Sequence, residues 1–178
     1  MKNAFLTGKK VYLRPLELAD APILQGYMND PEVRHTLARF LPVSLPNQEQ
    51  WVKGLGQNDR DVTLGIALQS DDRLIGATGL HRIDYKDRKA EFGIAIGAKD
   101  EWNKGHGTDA TALLVRYAFD ELNLNRVALR VYEYNQRGVR CYEKAGFQKE
   151  GVLRQDQYKD GRYWDVYVMG ILKEKARA

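Results

Sequence analysis

Three β-prone runs, at residues 62–68, 74–83 and 90–96, follow one another with only Ser70-Asp71-Asp72-Arg73 and Asp84-Tyr85-Lys86-Asp87 as polar breaks. Strands joined by turns this short pair antiparallel, so the middle of the chain is committed to a meander. The period then changes. Beyond Gly105 and Gly107, residues Ala110, Leu113, Leu114, Tyr117 and Ala118 fall on one face of a helix. An alternating strand at 126–132 follows, then a helix over 137–144 that Gly146 stops, with Phe147 placed to pack back. The last strand covers 163–172, after the turn Lys159-Asp160-Gly161. Towards the start, a strand at 11–13 leads into a helix with Asp20 as N-cap, running to Met28, and a short helix over 32–37. Residues 42–46 read as a surface loop, and Asn47 as the cap of a helix carrying Trp51 and Leu55. With no repeat and no linker, residues 1–178 read as one α+β domain.

Cys141 is the only cysteine, which rules out an intrachain disulfide. No apolar run approaches spanning length, and residues 1–10 lack the apolar core of a signal peptide, so a cytoplasmic protein without a membrane partner is expected. The net charge of +4 is mildly basic. Its Lys and Arg residues are scattered among acids rather than gathered into an arm, so no nucleic-acid partner is expected. His35, His81 and His106 have no metal-ligand spacing, and no metal is expected.

The most informative stretch runs from Ile94-Ala95-Ile96-Gly97 through Trp102-Asn103-Lys104-Gly105-His106-Gly107-Thr108 into the amphipathic helix. Where a strand enters a glycine-rich turn and a helix starts at once, several N–H groups lack intrahelical partners and converge. With the helix dipole they form an anion site, which bare glycines let a phosphate approach. Lys104 could add a mobile charge. A tight turn with no ligand satisfies the same pattern. The P-loop spacing is missing, and a dinucleotide fingerprint fails because Ala110 takes the third glycine position and the flanking strands lie in a meander rather than a βαβ unit.

The segment Trp102-Asn103-Lys104-Gly105-His106-Gly107-Thr108-Asp109-Ala110 resembles the pyrophosphate loop of GNAT acetyltransferases, in the form of the RimJ/RimL-like branch. Asn135 followed by Cys141-Tyr142-Glu143-Lys144-Ala145-Gly146-Phe147 is similar to that branch's second motif, and Val11-Tyr12-Leu13-Arg14-Pro15-Leu16 to its start. Trp102 stands where many members have Arg or Gln, Asn103 where Gly is commoner, and Gly138 where Ala is usual. The likeness covers about residues 10–172.

The resemblance implies a GNAT fold, a mixed, mostly antiparallel sheet of six to seven strands flanked by helices, with a splayed central pair. It implies an N-acetyltransferase that uses acetyl-CoA as co-substrate and attacks it directly with a primary amine in a ternary complex. Residues 102–108 would hold the diphosphate, and Ile94, Ala95 and Ile96 the pantetheine arm. Asn135 and Arg137 would add cofactor contacts, although Asn135 as a helix cap is an open alternative. Tyr142 becomes the general acid, where periodicity alone makes it a core residue. Glu91 becomes the base, or else a strand residue paired with a neighbouring cation. The acceptor is a protein N-terminus or a small amine such as a polyamine or aminoglycoside. The segment usually forming the acceptor wall, 39–43, is apolar and basic, which counts against spermidine, while Asp30, Glu32, Asp156 and Asp165 remain available to hold a polyamine. A homodimer is implied by analogy, and a non-catalytic acyl-CoA-binding regulator is the alternative to an enzyme.

Overall fold

The structure, a computed structural model, describes residues 1–176. The three central runs form strands β3 (Val62–Leu68), β4 (Leu74–Asp84) and β5 (Lys89–Ile96), paired antiparallel in sequence order. They sit in one sheet with β1 (Leu6–Thr7), β2 (Val11–Arg14), β6 (Arg126–Tyr132), β7 (Gln148–Lys159) and β8 (Arg162–Leu172), in the order β1-β2-β3-β4-β5-β6-β8-β7. The one parallel pairing joins β5 to β6, and it lasts only from Lys89–Glu91 against Arg126–Ala128. Beyond it β5 stays with β4 as far as Ile96 while β6 stays with β8 as far as Tyr132. The two strands therefore diverge and open a wedge in the sheet, the splayed pair expected.

Eight strands exceed the expected six to seven because β1 and β7 escape sequence patterning. The first is two residues long. The second lies at the sheet edge, mostly exposed, and irregularities at Lys149/Gly151 and Leu153/Gln157 break its period of two. Its turn into β8 is legible: Asp160 and Gly161 both have positive φ, 52° and 79°, as a two-residue hairpin turn matched to strand twist requires.

Helix α1 spans Ala21–Asn29, α2 Pro31–His35 and α3 Leu45–Lys53; α4 spans His106–Asp120, α5 Gln136–Lys144 and α6 Lys173–Ala176. The α4 face read from the sequence is buried at Ala110, Leu113, Leu114 and Ala118, and joins the main core with Ile66, Ile75, Leu80 and Val127. At the α5 terminus Gly146 takes φ 96°, its N–H bonds Glu143 O, and Phe147 N–H bonds Tyr142 O. That is the Schellman arrangement, and it buries Phe147. Helices α1 and α3 close a separate, smaller cluster through Ala21, Leu24, Val52 and Leu74.

Two expected caps are corrected. Asp20 precedes α1 but its side chain does not cap it. The carboxylate instead accepts from both Arg14 guanidinium nitrogens at 2.8 Å and from Glu17 N–H. Burial alone would raise the Asp20 carboxyl, but the Arg14 and Glu17 bonds hold it below its ordinary range. Residues 42–46 are not wholly loop: α3 starts at Leu45, capped by Ser44 Oγ accepting from Asn47 N–H at 3.3 Å. Asn47 is a donor there, and Pro46 is tolerated in the first turn because its missing N–H has no helical partner to lose.

Candidate active site

The wedge between β5 and β6 opens into a cavity of about 890 Å³. One wall is the end of β5, Glu91 to Ile96; a second is the α4 entry loop; a third is α5 with Asn135, Arg137 and Tyr142. Of the residues proposed from sequence to hold cofactor, Ile94, Ala95, Ile96, Trp102, Asn103, Gly105, His106, Gly107, Thr108, Asn135 and Arg137 all line this one cavity. Lys104 does not. Its ammonium lies 3.2 Å from a Glu101 carboxylate oxygen.

The entry loop is held by side chains so that its backbone stays free. Trp102 Nε1 donates to Ile96 O at 2.8 Å, tying the loop to the end of β5, and the Arg137 guanidinium lies 3.4 Å from the centre of the Trp102 ring. This explains how a tryptophan serves where a basic residue is commoner: it positions one. Glu101 accepts from Arg73 at 2.6 Å and contacts His106 Nε2 at 2.9 Å. His106 Nδ1 is buried and has no partner among the described residues. Gly105 is the N-cap in the left-handed region, φ 86° and ψ 2°, and no side chain caps the amides that follow. A Cβ on Gly107 would meet Cys141 Sγ at 3.3 Å, so α4 starts hard against α5. Uncapped amides at the start of a long helix, facing a cavity, fit a phosphate group.

Tyr142 is buried, packed edge-on against Phe92 and Phe147 at centroid distances of 6.1 and 6.0 Å, yet it lines the cavity. The two readings of this residue are therefore compatible: its ring is core while the residue borders the site. Burial pushes its phenol well above the ordinary value. Asn135 Oδ1 accepts from Gly138 N–H at 3.0 Å, so it caps α5 and borders the cavity as well. Glu91 also lines the cavity, but it is exposed and accepts from Arg82 at 2.9 Å.

Opposite the loop, the expected wall at 39–43 is corrected. The lining residues are Thr36, Leu37 and Ala38, just after α2. Phe40 is 80% exposed, whereas Val43 is buried, its backbone held by Asn29 and Gln25. Asp30 caps α2, accepting from Glu32 and Val33 N–H, and Lys99 bridges Asp30 and Glu32 at 2.9 and 2.6 Å. The end of α2 is fastened to the β7–β8 turn by His35 Nε2 on Asp160 at 2.8 Å and by Lys159 Nζ donating to His35 O at 2.8 Å. The irregularity between Leu153 and Gln157 puts Asp156 and Gln157 on the cavity as well, with Gln155 at φ 53° and its N–H held by Asp165 at 2.9 Å. Asp30, Glu32, Asp156 and Asp165 are the acids the sequence leaves available for an acceptor, whereas Thr36, Leu37, Ala38 and Gln157 carry no signal in it; the bend that brings Gln157 in lies in β7, which the sequence pattern did not show.

A parallel strand pair that parts beside an uncapped helix start leaves a cleft with room for an extended ligand and amides suited to a phosphate. Comparison with known proteins fixes the class further. Residues 10–148 match the acetyltransferase (GNAT) domain, and the chain belongs to that family. It is 33% identical over 173 residues to the uncharacterized N-acetyltransferase p20 of Bacillus licheniformis, covering 96% of this chain and 97% of that protein. It is 32% identical over 171 residues to the spermidine N(1)-acetyltransferase of Escherichia coli, covering 95% and 89%. The spermidine N-acetyltransferase from Vibrio cholerae in complex with CoA and spermine superposes with a TM-score of 0.85 at 29% identity, over 94% of this chain and 98% of that one. The activity is acetyl-CoA-dependent N-acetyl transfer. No helix among the described residues is long and apolar enough to cross a membrane.

Proposed function

We propose that this acetyltransferase acts on a primary amine carrying a single positive charge, best represented by the α-amino terminus of a protein. The observation that carries this reading is how the acids around the acceptor side are spent. Of the acids lining the cavity, Glu91 is paired with Arg82 and Glu101 with Arg73 and His106. Asp30 and Glu32, nearby on α2, share Lys99. That leaves Asp156 as the cavity-lining carboxylate with no ion pair among the described residues. One carboxylate suits one ammonium; a polyamine needs several. The wall at Thr36, Leu37 and Ala38 is small and largely apolar, which suits a short terminal side chain. The L-R-P-L start and the Tyr142-Glu143-Lys144-Ala145-Gly146-Phe147 segment support the RimJ/RimL-like branch, in a single cytoplasmic domain.

In this reading the bare amides of residues 103–108 grip the diphosphate of coenzyme A, and Ile94, Ala95 and Ile96 hold the pantetheine arm by backbone pairing in the wedge. A β5 N–H polarises the acetyl carbonyl as the amine attacks, a donor whose loss elsewhere costs about 10²–10³ in rate. Tyr142, kept protonated by burial, donates to the sulfur as the C–S bond breaks. The proton leaving the amine passes to Glu91 through water. An α-amine with pKa near about 8 is already partly neutral at physiological pH, so this exposed, paired base is asked for little; a lysine amine is only about 0.1% neutral there.

The relatives favour a second reading, spermidine as acceptor. An acetyl-transfer screen with N-terminal peptides and polyamines decides between them. The proposal expects the best peptide to exceed spermidine in kcat/KM by at least about tenfold, the discrimination of one well-placed polar contact. The reverse order would replace the acceptor and leave the enzyme class intact. CoA binding without turnover of any amine would point instead to a regulator.

A further inference from the structure

The cation that hydrogen-bonds the backbone of the glycine loop is not Lys104 but Lys10, nearly a hundred residues away in sequence. Its Nζ donates to Lys104 O at 2.6 Å, and a Cβ built on Gly105 would lie 3.5 Å from it. The anchor of Lys10 is unusually firm. Asp109, in the first turn of α4, accepts from Lys9, Lys10 and Val11 N–H at 3.2, 2.7 and 3.1 Å. The turn passes so close that a Cβ on Gly8 would stand 2.6 Å from Asp109 Oδ2. The hairpin between β1 and β2 is thus clipped to the same helix whose start forms the loop.

We propose that Lys10 is a positioning residue that selects the orientation of the Lys104–Gly105 peptide, and so aims the Gly105 N–H at the phosphate of coenzyme A. In a planar trans peptide the C=O and N–H point in opposite directions. Drawing Lys104 O towards Lys10 turns the Gly105 N–H away from it. Gly105, unlike Lys104, borders the cavity. The pin matters because this peptide has an alternative. Gly105 at φ 86° and ψ 2° lies in the left-handed region, which glycine enters and leaves freely. Rotating the Lys104–Gly105 peptide by half a turn takes Gly105 to a φ of about −90° with ψ unchanged, a conformation glycine adopts at little cost. The flip would present a carbonyl oxygen, rather than a donor, to an anion. Lys10 holds the carbonyl outside and removes that alternative.

The inference rests on the reading that residues 103–108 hold the diphosphate, and the test separates the two. CoA is titrated calorimetrically into the full chain, wild type and Lys10→Met, Lys10→Arg and Gly105→Val, at about 0.1 and about 0.5 M salt. Lys10→Met is expected to weaken CoA by about tenfold at both salt concentrations, the worth of one charge-assisted hydrogen bond. Lys10→Arg should return affinity to within about threefold of wild type. In turnover the Met change should raise KM for acetyl-CoA and leave kcat and the acceptor KM within about twofold. Both Lys10 side-chain changes are at an exposed position, so melting should move by no more than about 2 °C, which excludes unfolding as the cause. Wild-type affinity in Lys10→Met overturns the inference, as does a loss that vanishes at high salt, which would mean a diffuse charge effect. If Gly105→Val also binds like wild type, the loop reading itself is what fails.

Discussion

On the loop side of the cavity the chain works with backbone, and on the acceptor side with side chains. Residues 102–108 are consecutive, enter α4 directly, and offer amides that no side chain caps. The opposite wall is gathered from Thr36–Ala38 after α2, from β6, and from Asp156 and Gln157 on an irregular edge strand. A backbone site is set by a few special φ values and by the side chains that brace it, as Trp102 does by donating to Ile96 O. A side-chain site depends on how distant segments pack, and can be rebuilt for another amine without touching the loop.

Changes on the two sides should therefore separate in kinetics. The largest effect is expected at the junction: Tyr142→Phe should lower kcat by about 10²-fold or more, with little change in either KM. Its ring contacts with Phe92 and Phe147 survive, so the melting temperature should hold. Wild-type kcat in this variant would strip Tyr142 of its acid role. Because burial raises this phenol, its loss of a proton should not limit kcat below about pH 10.

Gly105→Val comes next. A β-branched residue at φ 86° costs about 1–3 kcal/mol, so CoA affinity should fall by about 30-fold if the strain is relieved by remodelling the loop. Equal weakening of acceptor and CoA would blur the division between the two sides. Asp156→Asn should raise the acceptor KM by about tenfold and leave that for acetyl-CoA unchanged, from the loss of one charged partner to the ammonium. An unchanged acceptor KM would remove Asp156 from the site. The smallest effect is expected for Glu91→Gln, a loss in kcat/KM of about threefold at pH 7 that fades by about pH 9. The sign follows from the amine: above its pKa near about 8 it attacks without surrendering its proton first.

The sheet's centre and the loop were legible because both are written in local pattern. Residues 126–132 were bounded as the structure has them, and Gly105 and Gly146 occupy left-handed positions at which a glycine is the cheapest residue. Tyr142 could be nominated from its motif, although the pattern alone could not tell ring packing from service to the site, and the structure has it lining the cavity from within the core. Asp20 misled because an acid before a helix is read as a cap, whereas a half-buried Arg14 six residues back in the chain offered two stronger bonds.

What the sequence determined by itself is therefore the meander, the glycine-rich entry to α4 and the Gly146 stop of α5, since these depend on neighbours a few residues apart. Only the tertiary structure decided which residues line the cavity opposite β5, the pairing of Glu91 with Arg82, and the reach of Lys10 to Lys104 O. Those contacts are made between segments whose separation along the chain carries no periodic signal. They exist because burial of the core fixes the sheet order, and the sheet order brings the first turn of the chain against the start of its longest helix.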